Sequence, residues 1–209
     1  MKTGIIILAA GESTRLGYPK QIAKYKDKTL LQLAIDAANG CEAHKRVLVL
    51  GANRDEIKKT FPGSSIPNIP NPNYENGMSS SLKIGLEYML KFDPPDQVII
   101  MLCDQPFVDA KILNKLISTQ AKEGKGIVAC SYSKTIGVPI LFCNPYFKEL
   151  MDLKGDEGAK KIALAHEEDL VTISFPKGKI DIDTEEDLLR LNSEFGSQIS
   201  ELSTDDEDL

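Results

Sequence analysis

Short runs of consecutive apolar residues alternate along this chain with longer stretches whose apolar positions recur every three or four residues. Residues 4–9, 46–51 and 97–102 are runs of the first kind, the pattern of strands buried on both faces. Residues 29–40 have helical apolar spacing, with Thr29 as cap and Asn39 and Gly40 as a stop. Asn53 and Glu56 resemble a capping box for a short helix through Lys59. Residues 62–72, rich in Pro, Gly, Ser and Asn, read as irregular, with at most a short strand near residues 66–69. A helix then follows with Leu82, Leu86, Met89 and Leu90 on its buried side, and Asp109 caps another whose apolar face is Ile112, Leu113, Leu116 and Ile117.

Residues 126–132 and 137–142 read as a hairpin-like pair of strands on one edge of the sheet, where Pro139 fits an edge or bulged position. Asn144 and Pro145 start a helix through Leu153, and residues 155–161, Asp156 among them, open another with an acidic N-terminus. Residues 170–175 form a late strand, and Thr184 caps a last helix with Asp187 as its partner. The strand–helix alternation predicts an α/β fold of three layers, a mostly parallel sheet with helices on both faces. One domain is expected over residues 1–195, and residues 196–209 read as an acidic, disordered tail.

Composition narrows this picture. A chain of 209 residues can bury one sizeable core, and two full domains would be cramped. A net charge of −6 argues against a general nucleic-acid binder, so a phosphate ligand needs a local cationic pocket or a metal. No apolar stretch reaches the roughly 18–20 residues of a spanning helix, and Met1-Lys2-Thr3 runs straight into the first strand, which reads as no signal peptide. Cys41, Cys103, Cys130 and Cys143 lack Cys-x-x-Cys spacing and read as reduced structural thiols of a cytoplasmic protein. His44 and His166 have no ligand-like neighbours in sequence and read as surface residues.

The candidate chemistry starts at the end of the first strand. Leu8, Ala9, Ala10 and Gly11 lead into Ser13, Arg15 and Lys20, a small-residue turn followed by cations, which can cup a phosphate chain. Asp104 follows the strongest strand, at the strand end where open α/β sheets place ligands. Gly77 with Ser79, Ser80 and Ser81 presents short donors at a helix N-terminus, more than a cap requires. Asp181 and Asp183 share one face of an extended segment. Neither a Walker loop nor a dinucleotide fingerprint is present, so Arg15 and Lys20 with separate carboxylates point to a triphosphate held with Mg²⁺.

These motifs, in this order, resemble the MobA-like nucleotidyltransferases. The resemblance rests on Leu8-Ala9-Ala10-Gly11-x-Ser13-x-Arg15-x-Gly17-x-Pro19-Lys20 and on Asn71-Pro72 with Gly77-Met78 and Ser80-Ser81-Leu82. It extends to Cys103-Asp104-Gln105-Pro106, Gly137-x-Pro139, Gly155-Asp156-x-Gly158-Ala159 and Asp181-Ile182-Asp183-Thr184. It is strongest for the molybdenum cofactor cytidylyltransferase (MocA-type) branch, since Ala10-Gly11 stands where the guanylyltransferase branch usually has a Gly-Gly pair. The resemblance implies a Rossmann-like nucleotidyltransferase fold and transfer of CMP from CTP to the terminal phosphate of molybdopterin, with release of pyrophosphate. It implies nucleotide contacts from Leu8, Ala9, Ala10, Gly11, Ser13, Arg15, Lys20, Gly77, Ser80, Ser81 and Asp104. Catalysis would rest on Arg15, Lys20 and Asp104, and Mg²⁺ on Asp104 with Asp181 or Asp183. An apo molybdenum hydroxylase would be a further partner. The same fold also admits guanylyl transfer, a sugar or alcohol phosphate as acceptor, or a cofactor carrier that consumes no CTP.

Overall fold

The computed structural model describes residues 1–60 and 65–195. The expected tail therefore lies outside the described residues. In chain order the elements are β1 (Thr3–Ala9), β2 (Lys24–Tyr25), β3 (Lys28–Thr29), α1 (Leu30–Gly40), β4 (Lys45–Leu50), α2 (Arg54–Thr60), β5 (Asn68–Pro70) and α3 (Met78–Lys91). They continue with β6 (Gln97–Leu102), α4 (Ala110–Glu123), β7 (Ile127–Tyr132), β8 (Thr135–Cys143), α5 (Phe147–Asp152), α6 (Ala159–Ala165), β9 (Leu170–Ser174) and α7 (Glu185–Phe195).

Seven strands form one sheet in the order β5-β4-β1-β6-β8-β7-β9, in which β8 runs antiparallel to both of its neighbours. All seven residues of β1 are buried, as its uninterrupted apolar run requires of a central strand. Alternation along β1 divides the interior. Ile5, Ile7 and Ala9 face a core shared with Leu31, Ile35, Leu113 and Leu116 of α1 and α4. Ile6 and Leu8 face the opposite core, with Leu82, Leu86, Leu150 and Ile162 of α3, α5 and α6. The sheet is thus covered by helices on both faces, as the alternating pattern predicts.

Side-chain caps set the starts of α1, α4 and α7. Thr29 Oγ1 accepts from Gln32 N–H at 3.1 Å, and Asp109 Oδ1 from Ile112 N–H at 2.9 Å. Thr184 Oγ1 accepts from Asp187 N–H at 3.2 Å while Asp187 Oδ2 accepts from Thr184 N–H at 3.0 Å, a reciprocal box. Three expectations need correction. Asn53 sits in the left-handed region at φ 58°, and its amide reaches the Glu12 carbonyl rather than closing a box with Glu56. Leu90 is 38 % exposed, because one residue's turn of about 100° from Met89 carries it off the stripe of α3 that buries Leu82, Leu86 and Met89.

The third concerns β7 and β8, which pair as expected but lie inside the sheet. β6 borders β8, and β9 adds in parallel outside β7, so β5 and β9 are the edges. Pro139 is accommodated by a bulge: the register jumps from Ala129↔Ile140 to Cys130↔Gly137, leaving Val138 and Pro139 out of the ladder. A third, smaller core gathers Leu16, Ala23, Tyr25, Leu30, Ile182 and Leu191. It ties the loop after β1 to the segment that carries Asp181 and Asp183. That tie builds the site.

Candidate active site

The loop after β1 is folded by its own carbonyls. Ser13, at φ 59°, accepts at its carbonyl from Leu16 N–H (3.0 Å) and Gly17 N–H (3.3 Å), which turns the chain back toward the sheet. Ser13 Oγ accepts from Lys20 N–H at 2.9 Å and closes the loop at its far end. The buried side chain of Gln21 donates to the carbonyls of Ala9 (2.9 Å) and Gly11 (3.2 Å), while Ala52 N–H takes the carbonyl of Ala10 (3.1 Å). A Cβ at Gly51 would stand 2.6 Å from that Ala10 carbonyl, so the close approach of this turn needs glycine. The carbonyl side of the loop is satisfied by protein. Among the described residues the N–H groups of Gly11, Glu12 and Ser13 donate to nothing, the condition for holding an anion.

Beside this loop lies a cavity of about 260 Å³. Leu8, Ala9, Ala10, Gly11 and Lys20 line one side, Cys103 and Asp104 its floor, and Gly77 and Ser81 the other side. Gln21, Tyr74, Met78 and Asp156 line it too, beyond the residues that the motifs imply as nucleotide contacts. Gln21 follows Pro19-Lys20 directly but carries no periodic or motif signal of its own. Asp156 was the more legible of the two, standing between Gly155 and Gly158. Its expected place in the opening of a helix is not observed, because α6 starts at Ala159 behind Gly158.

The charged end is held by ion pairs. Lys20 Nζ lies 2.6 Å from Asp104 Oδ2 and 2.8 Å from Asp183 Oδ1, and Arg15 Nη2 lies 2.7 Å from Asp183 Oδ2. Asp183 arrives there because Ile182 N–H donates to the backbone carbonyl of Asp104 at 3.0 Å and the Ile182 side chain is fully buried in the third core. Burial works against the Lys20 ammonium, yet Asp104 and then Asp183 outweigh it and hold its pKa above the ordinary lysine value. Burial likewise opposes the charge on Asp183, and Lys20 and Arg15 reverse that, lowering its pKa. Asp181 forms no ion pair among the described residues, and its pKa is raised by partial burial of its carboxyl and by the charges of Asp104 and Asp183. Of the two carboxylates expected on one face, the structure brings Asp183 to Asp104. Among the described residues, no group of three His, Cys, Asp or Glu side chains is gathered as a metal site.

The pair nevertheless suits a hard cation. Two carboxylate oxygens already converge on one positive group, and the other oxygen of the buried Asp104, Oδ1, has no hydrogen-bond partner among the described residues. Oxygen-only donors and room for water are what Mg²⁺ or Mn²⁺ takes. Cys103, beneath this pair, is fully buried, and burial pushes its thiol up to about 12, next raised by Asp104. All four cysteines are free and buried, as expected of structural thiols.

The opposite end is built largely from backbone, with the Asp156 side chain against Gly77. Gly77 has φ 88°, and a Cβ there would overlap the Gly155 carbonyl, while Ser79 N–H donates to that same carbonyl at 3.0 Å. The buried Asn71 amide donates to Ser80 Oγ (2.8 Å) and Ser81 Oγ (2.9 Å). Ser80 also reaches the Gly77 carbonyl at 2.8 Å and does not line the cavity, whereas Ser81 does. Ser13 and Arg15, too, stand outside its lining. No helix among the described residues is long and apolar enough to cross a membrane.

The chain is similar to known proteins in sequence and in fold. GlmU of Buchnera aphidicola, a bifunctional protein, is 28% identical over 118 residues, 56% of this chain, and the chain spans about a quarter of that relative's length (25%). The crystal structure of Rv0371c from Mycobacterium tuberculosis H37Rv superposes with a TM-score of 0.80 at 28% identity, covering 91% of this chain and 97% of that one. The same protein solved as a manganese complex gives 0.74 at 26% identity, covering 93% and 100%. Residues 5–170 match the MobA-like NTP transferase domain, from β1 through the start of β9, and the chain belongs to that family of nucleotidyltransferases.

Proposed function

We propose that the chain transfers CMP from CTP to the terminal phosphate of a molybdopterin-type acceptor and releases pyrophosphate. The observation that carries the transfer chemistry is the convergence of Lys20, Arg15, Asp104 and Asp183 beside the unbonded N–H groups of Gly11, Glu12 and Ser13. The choice of CTP and of the acceptor rests on the motif resemblance.

A phosphate monoester has its second pKa near about 6 and is already an anionic nucleophile at neutral pH. Its attack on the α-phosphorus of CTP forms the new P–O bond as the bond to pyrophosphate breaks. No general base is needed, and the site's task is to hold two anions together and offset charge on the leaving group. In this reading the N–H groups of residues 11–13 hold the triphosphate, Lys20 swings onto it, and Arg15 neutralises the phosphates from the cavity rim. Asp104 and Asp183 would hold a divalent cation, which when bound screens the phosphate oxygens. Gly77 and Ser81 border the nucleotide from the opposite side, and an apo molybdenum hydroxylase would receive the product.

The test offers CTP, GTP and ATP separately, each with Mg²⁺ and molybdopterin, and follows pyrophosphate. Release with CTP is expected. Release with GTP alone would move the chain to guanylyl transfer. Release with no nucleotide, repeated with sugar and alcohol phosphates as acceptors, would separate a different acceptor from a carrier role.

A further inference from the structure

Lys20 occupies the point on which two carboxylates converge. Its ammonium contacts Asp104 at 2.6 Å and Asp183 at 2.8 Å, and its side chain is only 16% exposed. Two cations cannot share those oxygens at contact distance without strong repulsion. We propose that Lys20 is a built-in stand-in for the divalent cation, holding Asp104 and Asp183 together in the nucleotide-free protein and giving way when the triphosphate draws its ammonium off. The proposal rests on the metal role given above to Asp104 and Asp183.

Three features support an exchange rather than a permanent ion pair. Asp104 Oδ1 is buried without a partner, so the ammonium leaves an acceptor unused that a cation with a larger coordination shell could use. The Lys20 backbone is pinned, its N–H on Ser13 Oγ and its carbonyl accepting from Ala23 N–H, so any movement of the ammonium falls to the rotatable bonds of its four-carbon stem. The same side chain lines the cavity beside Gly11, so a short swing carries the charge from the carboxylates toward the loop that faces the phosphates. Arg15 is a lesser competitor, since its side chain is 69% exposed and remains solvated.

Two consequences follow. Without nucleotide the metal binds weakly, because it must displace an ammonium. Nucleotide and metal then tighten each other by an equal factor, as linkage requires, and the factor shrinks once Lys20 loses its charge.

The experiment titrates Mn²⁺ into the full chain, following free Mn²⁺ by its electron paramagnetic resonance signal, with and without a non-hydrolysable CTP analogue. Lys20→Met, and Lys20→Gln as a hydrogen-bonding second variant, are expected to bind Mn²⁺ without nucleotide about tenfold tighter than wild type. Their melting temperatures are expected to rise more on Mn²⁺ addition than the wild type's, because the ion replaces the missing charge. A variant that folds only when Mn²⁺ is present supports the exchange equally. Equal or weaker Mn²⁺ binding in both variants, with Asp104→Asn still abolishing it, overturns the stand-in while leaving the metal role intact. Mn²⁺ binding with the CTP analogue that is indifferent to Asp104→Asn in every background overturns the metal role, and the stand-in with it.

Discussion

The two ends of the cavity are held in opposite ways. At one end Lys20 and Asp104 line the cavity and meet Arg15 and Asp183, which stand outside the lining, through ion pairs of 2.6–2.8 Å. At the other, Gly77 meets the Gly155 carbonyl backbone to backbone, and a buried Asn71 ties two serines together. Ion pairs can be exchanged for a phosphate or a metal at little cost to the backbone, whereas a glycine contact has no alternative partner. The charged cluster is therefore able to rearrange, and the Gly77 end is a fixed wall.

The largest expected effect belongs to the charged end. Asp104→Asn should lower pyrophosphate release about a thousandfold, roughly 4 kcal/mol of barrier, with the circular dichroism spectrum unchanged. Turnover near the wild-type rate would deprive Asp104 of its role. At the other end Gly77→Ala combines a positive φ with overlap on Gly155, and should cost about 2–3 kcal/mol in denaturant unfolding. A loss below about 0.5 kcal/mol would mean that the wall yields and that the contrast between the ends is overdrawn. The smallest effect is expected from Asn71→Ala, about 1–2 kcal/mol, from leaving the Asn73 N–H and both serine hydroxyls without this partner. It should lower the melting temperature while changing the rate less than Asp104→Asn does; a reversed order would make the serine pair, rather than the charged cluster, the more sensitive part.

Much of this was legible in the linear chain, and the reason differs from place to place. The strands β1, β4 and β6 could be read because a strand buried on both faces must be apolar throughout. Thr29, Asp109 and Thr184 were readable as caps because capping is a contact between residues three apart. The motif order located the loop after β1, and Asp104 stands at its strand end as expected. What could not be read depended on distant partners. Whether Asp181 or Asp183 faces Asp104 turns on a single hydrogen bond from Ile182 and on the burial of its side chain. The interior position of the β7–β8 pair depends on β9, which arrives some forty residues later and covers the outer edge.

Gln21 and Ser80 show the same limit from two sides. Gln21 has no sequence signal, yet its amide holds two carbonyls of the loop after β1. Ser80 has a motif signal, yet its hydroxyl serves the chain around it rather than the cavity. Hydrophobic period, capping chemistry and short motifs act over a few residues, so the amino-acid order alone determined the α/β class, the capped starts of α1, α4 and α7 and the candidate loop. Packing and ion pairing act across 84 and 163 positions for Lys20. Only the folded chain decided which carboxylate joins Asp104 and where the Lys20 charge rests, because those contacts exist only once the sheet and the third core have brought the segments together.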